Sequence, residues 1–105
     1  TSTERFIRAT YLRHQLRCSH NEDENLMNCF KVLESVSIPQ GAVIDANKIH
    51  YTQYQLVMES KERSYYIKPY FSNQIFKIKL TEDLLSKNEM TFLPINHDLK
   101  ITSIQ

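Results

Sequence analysis

Arg5 and Arg8 are the two charged side chains in this sequence whose spacing invites chemistry. They stand three residues apart in a stretch of helical composition, which puts both guanidinium groups on one edge of a helix near its start. A guanidinium is permanently charged, and on spacing alone such a pair is a solvated helix face. The remaining candidates do not converge. His14, His20, His50 and His97 fall in a helix, a polar loop, a strand start and the tail, and no HxxxH or HxH pair exists, so no metal site is expected. Cys29 lies on an apolar helical stripe, where a thiol behaves as a small hydrophobe. Cys18 lies in a polar loop with no activating neighbour. Glu22, Asp23 and Glu24 read as a helix start, and Tyr65, Tyr66, Tyr70 and Phe71 as half-buried sheet rather than a stacking platform.

Composition narrows the field further. Thirteen basic and twelve acidic residues are intermixed, so no single-signed field gathers phosphates and no nucleic-acid partner is expected. No apolar run approaches the roughly 20 residues that cross a bilayer, and the start, Thr1-Ser2-Thr3-Glu4-Arg5, has no signal-peptide core, so a cytoplasmic setting without a membrane is expected. Two cysteines are too few for a disulfide scaffold. A single glycine, Gly41, excludes Gly-rich phosphate loops. Helix-like residues begin almost at once without an initiator methionine, which suggests a fragment or processed piece.

The elements that must position these groups follow from periodicity. Arg5 to Arg17 predicts a helix with Phe6, Ile7, Ala9, Tyr11, Leu12 and Leu16 clustered on one side, capped by Ser2 or Thr3. Asn21 and Glu24 have the form of a capping box ahead of a second helix, whose stripe is Leu26, Cys29, Phe30, Leu33 and Val36. Ile38-Pro39-Gln40-Gly41 ends it. Ala42 to Ile44 predicts a short strand and Asp45 to Lys48 a turn. Ile49 to Leu80 then reads as a hairpin broken at Ser60 to Ser64, with Thr52, Tyr54, Leu56 and Met58 on one face of its first run and Tyr51, Gln53, Gln55 and Val57 on the other. Pro69 argues for an edge, a bulge or a strand break. Thr81 to Ser86 predicts a short helical turn, Met90 to Ile95 a last strand, and Asn96 to Gln105 a loose tail. The sum is one α+β domain over residues 1–105, two helices followed by an antiparallel sheet of three to five strands. Both faces of the hairpin carry large apolar groups, so the second face is expected to be covered by a segment outside these residues or by another copy, giving a homo-oligomer.

Five strings, in order, carry a resemblance. They are Glu4-Arg5-Phe6-Ile7-Arg8-Ala9, Asn28-Cys29-Phe30-Lys31-Val32-Leu33-Glu34-Ser35-Val36, Ile38-Pro39-Gln40-Gly41, Tyr51-Thr52-Gln53-Tyr54 and Tyr65-Tyr66-Ile67-Lys68-Pro69-Tyr70. Together they resemble the C-terminal third of the choloylglycine hydrolase family, which contains bile salt hydrolases and penicillin V acylases. The resemblance implies the C-terminal part of an N-terminal-nucleophile (Ntn) αββα sandwich. In such an enzyme a cysteine at the mature N-terminus attacks an amide, its own α-amine serves as the base, and neither cofactor nor metal takes part. It also implies that Arg5, with Arg8 as the second choice, is an active-site arginine. The chain would be the C-terminal segment of a larger amidohydrolase, its partner the missing N-terminal portion and its substrate a small amide handled only by the complete enzyme. The sequence departs from the family where Thr1 is not cysteine, where Gln55-Leu56 replaces Thr-Ser, and where Tyr70-Phe71-Ser72 replaces Tyr-Asp-Asn.

Overall fold

Helix α1 starts where a hydroxyl and a carboxylate can serve each other. In the computed structural model, which describes residues 1–105, α1 spans Ser2–Gln15 and its N-cap is Thr1. The amide of Glu4 donates to Thr1 Oγ1 at 3.2 Å, and the Thr1 nitrogen donates back to Glu4 Oε2 at 3.0 Å. The cap is therefore not Ser2 or Thr3, and the reason is the third residue beyond each. Ser2 would place Arg5 there and Thr3 would place Phe6, neither of which can return the bond.

Helix α2 spans Glu22–Ser35, capped by Asn21, whose Oδ1 accepts from the amides of Asp23 and Glu24. The expected box is rerouted on its return side. Ser19 Oγ accepts from the Asn21 amide at 3.0 Å and donates to the Glu24 carboxylate, so a hydroxyl relays the bond that Glu24 would make directly. α1 packs on α2. Phe30, 3% exposed, is the one large apolar side chain that is fully buried, while Leu26, Leu33 and Val36 are half-covered. Cys29, expected on the covered stripe, is exposed, and so are Phe6, Ile7 and Tyr11 of α1.

After α2 the chain turns at Gly41, whose φ of +97° suits the third position of the Pro39–Ala42 turn, closed by Ala42 N donating to Pro39 O at 3.1 Å. Strands β1 (Val43–Asp45) and β2 (Lys48–His50) form an antiparallel ladder with Ile44 opposite Ile49. Ala46 and Asn47 join them with φ of 48° and 64°, the pair of positive values that a tight two-residue hairpin turn demands. The first run of the expected long hairpin is thus divided. β2 ends at His50 and β3 starts at Tyr54, because Thr52 sends its amide to Ile38 O at 3.0 Å instead of to a neighbouring strand.

The chain forms two compact units, Thr1–Gln55 and Leu56–Gln105. The second contains most of a three-stranded antiparallel meander, β3 (Tyr54–Glu59), β4 (Ser64–Pro69) and β5 (Phe76–Lys79), in the order β3-β4-β5. Glu59 closes the β3–β4 turn by accepting from the amides of Lys61 and Glu62. Tyr65 pairs with Ile78 and Ile67 with Phe76 on one face, while Tyr66 pairs with Lys77 on the other, where the ammonium lies 5.7 Å from the ring centre. β4 ends at Pro69, as a residue without an amide donor favours. The faces of β3 alternate as the sequence predicts: Gln55 and Val57 are covered or half-covered, and Tyr54, Leu56 and Met58 are exposed. Helix α3 (Glu82–Leu85), capped by Thr81, completes the regular structure. The strand expected over Met90–Ile95 does not form; Pro94 lacks a donor, and the segment pairs with no strand. In the tail, Asn73 holds Lys100 by two hydrogen bonds, Nδ2 to Lys100 O at 2.7 Å and Lys100 N to Oδ1 at 3.1 Å.

Two substitutions check this account. Phe30→Ala removes the sole buried aromatic anchor of the helix pair and is expected to cost about 3–5 kcal/mol in urea unfolding. Ala46→Gly relieves a left-handed non-glycine residue and is expected to raise stability by up to about 1 kcal/mol, read as a higher urea midpoint.

Candidate functional site

The C-terminus of α2 is a helix end with no cation of its own. Its last turn contains Glu34 and no basic residue, while its final carbonyls carry the negative end of the helix dipole. The positive charge comes from α1. Arg5 Nε donates to Val36 O at 2.9 Å, and Arg8 Nη1 reaches Ser35 O at 3.4 Å. The two arginines expected to act together therefore do converge, and their common object is the end of α2. Arg5 is thus fixed through Nε, and its two terminal nitrogens make up the outer end of a permanent cation.

The arginines border a cleft of about 220 Å³ lined by Glu4, Arg5, Arg8, Ser35, Val36, Ser37 and Ile38. Glu4 belongs to it. Its carboxylate accepts from the Thr1 nitrogen at 3.0 Å and borders the same cleft as the two guanidinium groups.

Two residues outside the expected set hold the α2 end in place. Thr52 clasps Ile38 in both directions: the Ile38 amide donates to Thr52 Oγ1 at 2.8 Å, and the Thr52 amide donates to Ile38 O at 3.0 Å. Gln55 Nε2 donates to the Glu34 carboxylate. Val36, the acceptor for Arg5, lies between these two fastened points. The Tyr-Thr-x-Tyr string was the sequence signal for Thr52, and Gln55 stood out there as a departure from Thr-Ser. Neither suggested a partner, because the bonds join residues 14 and 21 positions apart.

The other candidates stay apart. No three His, Cys, Asp or Glu side chains gather as metal ligands. Cys18 and Cys29 are both exposed, and neither lines the cleft. No helix is long and apolar enough to cross a membrane.

The helix pair and antiparallel strands recur over the whole length of this chain in two solved structures, a cysteine-to-alanine mutant and an arginine-to-leucine variant of the conjugated bile acid hydrolase from Clostridium perfringens. Each aligns with a TM-score of 0.77 at 24% identity, covering 100% of this chain and 32% of the longer one. The architecture is thus the α+β fold of a portion of that hydrolase. In sequence, the conjugated bile acid hydrolase of Lactobacillus acidophilus is 33% identical over 64 residues, which is 60% of this chain and 20% of the relative. The chain spans about a fifth of the curated relative and about a third of the solved ones. The family model described as linear amide C-N hydrolases, choloylglycine hydrolase family, matches residues 1–93, and the chain belongs to that family.

Proposed function

We propose that this chain supplies the C-terminal portion of a cysteine Ntn amidohydrolase acting on linear amides of the conjugated bile salt type, with Arg5 as its active-site cation. The nucleophilic cysteine comes from an N-terminal portion outside these 105 residues, since Cys18 and Cys29 lie away from the Arg5 cleft. In the reaction the thiolate adds to the amide carbonyl carbon, the α-amine of the same cysteine carries the proton to the departing amine, and water then hydrolyses the thioester. Arg5 stabilises the thiolate and the oxyanion because a guanidinium is permanently charged and carries more donors than the one bound to Val36. The observation that carries this reading is the Arg5 Nε bond to Val36, which fixes the side chain by its inner nitrogen and leaves the outer fork for a ligand. Arg8, more distant from its carbonyl at 3.4 Å, is the second choice. The conjugated bile acid hydrolases to which the chain is similar favour that substrate class over penicillin V.

One observation favours a second reading, a self-associating module without catalysis. The β3 face of Tyr54, Leu56 and Met58 is exposed, with Tyr54 at 58% and Met58 at 68%, and a second copy could cover it. Sedimentation separates the two, since the module gives a dimer or larger oligomer and no amidase activity with any complementing portion.

Co-expression with an N-terminal portion that begins with the nucleophilic cysteine is expected to restore hydrolysis of conjugated bile salts. Arg5→Ala in that complex is expected to lower kcat by about 10²–10³-fold. Full activity of the Arg5→Ala complex on both bile salts and penicillin V would refute the role given to Arg5.

A further inference from the structure

We infer that Thr52 and Gln55 are positioning residues for Arg5, acting through the C-terminus of α2; the inference rests on the reading of Arg5 as the active-site cation. The acceptor that orients the guanidinium is the Val36 carbonyl, 2.9 Å from Nε. A carbonyl just past a helix end is set by whatever fastens the frayed turn, because the helix ladder no longer does so. Here the fastening is symmetric about Val36. Two residues before it, the Glu34 carboxylate accepts from Gln55 Nε2. Two residues after it, Ile38 exchanges two hydrogen bonds with Thr52, of 2.8 Å through the side chain and 3.0 Å through the backbone. The segment 52–55 therefore dictates where Val36 O points, and with it where the outer nitrogens of Arg5 lie.

Gln55 shows a cost consistent with such a role. It is 9% exposed, and its Oε1 is buried without a hydrogen-bond partner. A buried acceptor left unpaired is destabilising, so an apolar residue of similar size would serve packing as well or better. Glu34, its partner, is exposed and can be hydrated when the bond is lost. The amide earns its place through the Glu34 bond, which holds the last turn of α2 rather than enlarging a core. Thr52 is similar in kind: its hydroxyl satisfies an amide two residues past the helix, and its own amide is turned from the sheet to do the same for a carbonyl.

The chemistry that follows is electrostatic. A cation displaced by even an ångström from a thiolate stabilises it less, so the thiol titrates higher and turnover falls while substrate binding elsewhere is unaffected. Loss of packing alone would not move the titration of a remote thiol.

The test uses the full-length enzyme with Arg5→Ala, Thr52→Val, Thr52→Ser and Gln55→Leu, read three ways. Steady-state kinetics give kcat and KM, the pH dependence of iodoacetamide alkylation gives the nucleophile's titration, and 15N spectra give solvent exchange of the Arg5 Nε proton. Thr52→Val and Gln55→Leu are expected to speed exchange of that proton, lower kcat about 10- to 100-fold with KM little changed, and move thiol titration to higher pH. Thr52→Ser is expected to restore all three, and Gln55→Leu to unfold no more easily than the parent. Unchanged proton exchange in Thr52→Val and Gln55→Leu would overturn the inference. So would unchanged kcat and thiol titration in those variants while Arg5→Ala reduces both. If instead Arg5→Ala leaves kcat and titration at the parent values, the reading of Arg5 itself fails. A Thr52→Val protein that does not fold leaves Gln55→Leu to decide.

Discussion

The far end of α2 must be neutralised from outside the helix, and most of the first unit is arranged to do so. A 14-residue helix presents unsatisfied carbonyls at its C-terminus, and α2 ends without a lysine, arginine or histidine in its last turn. Arg5 and Arg8 bring the charge from α1, Thr52 satisfies Ile38 just beyond, and Gln55 takes up the Glu34 carboxylate that would otherwise add to the negative end. One helix terminus thus ties α1 to α2 and both to the segment leading into β3. It also explains why the polypeptide between β2 and β3 abandons strand geometry at Thr52, where the amide is needed elsewhere.

Apolar burial contributes less than is usual. Phe30 is the only large apolar side chain fully shielded, and Phe6, Ile7, Tyr11, Ile44, Ile49, Tyr54 and Met58 face outward. A self-contained globular protein of 12.5 kDa exposes about 6,200 Å². This chain exposes 9126 Å². The excess accompanies a chain that spans about a fifth to a third of the length of the relatives it matches. Hydrogen bonds between side chains and backbone do much of the local ordering, as the Ser19 relay, the Glu59 turn and the Asn73–Lys100 pair show.

Arg5 is structural and available at once. An arginine whose Nε is committed to a carbonyl has lost most of its rotamer freedom, yet it keeps two terminal nitrogens and its whole charge. A lysine there could not divide its head in the same way. That division makes a helix-capping arginine suited to electrostatic work in a site completed by other residues. It also makes the capping bond of Arg5 compatible with the catalytic role proposed for it.

The amino-acid sequence by itself determined what depends on near neighbours. Period-3.6 stripes marked α1 and α2, capping side chains marked the starts of α2 and α3 but not that of α1, the Asp45–Lys48 turn and the Pro39–Gly41 stop were readable, and the alternation in β3 followed from its residue types. The five strings also indicated the family and the order of helices before sheet. Tertiary structure alone decided where distant residues meet: Arg5 with Val36, Thr52 with Ile38, Gln55 with Glu34, and the division of one long apparent strand into β2 and β3. It also left Met90 to Ile95 without a ladder and Cys29 in the open. The physical reason is range. Helix periodicity, caps and tight turns are settled within about four residues, whereas a hydrogen bond across 14 to 31 positions forms only after the chain has folded back, and no local pattern specifies its partner.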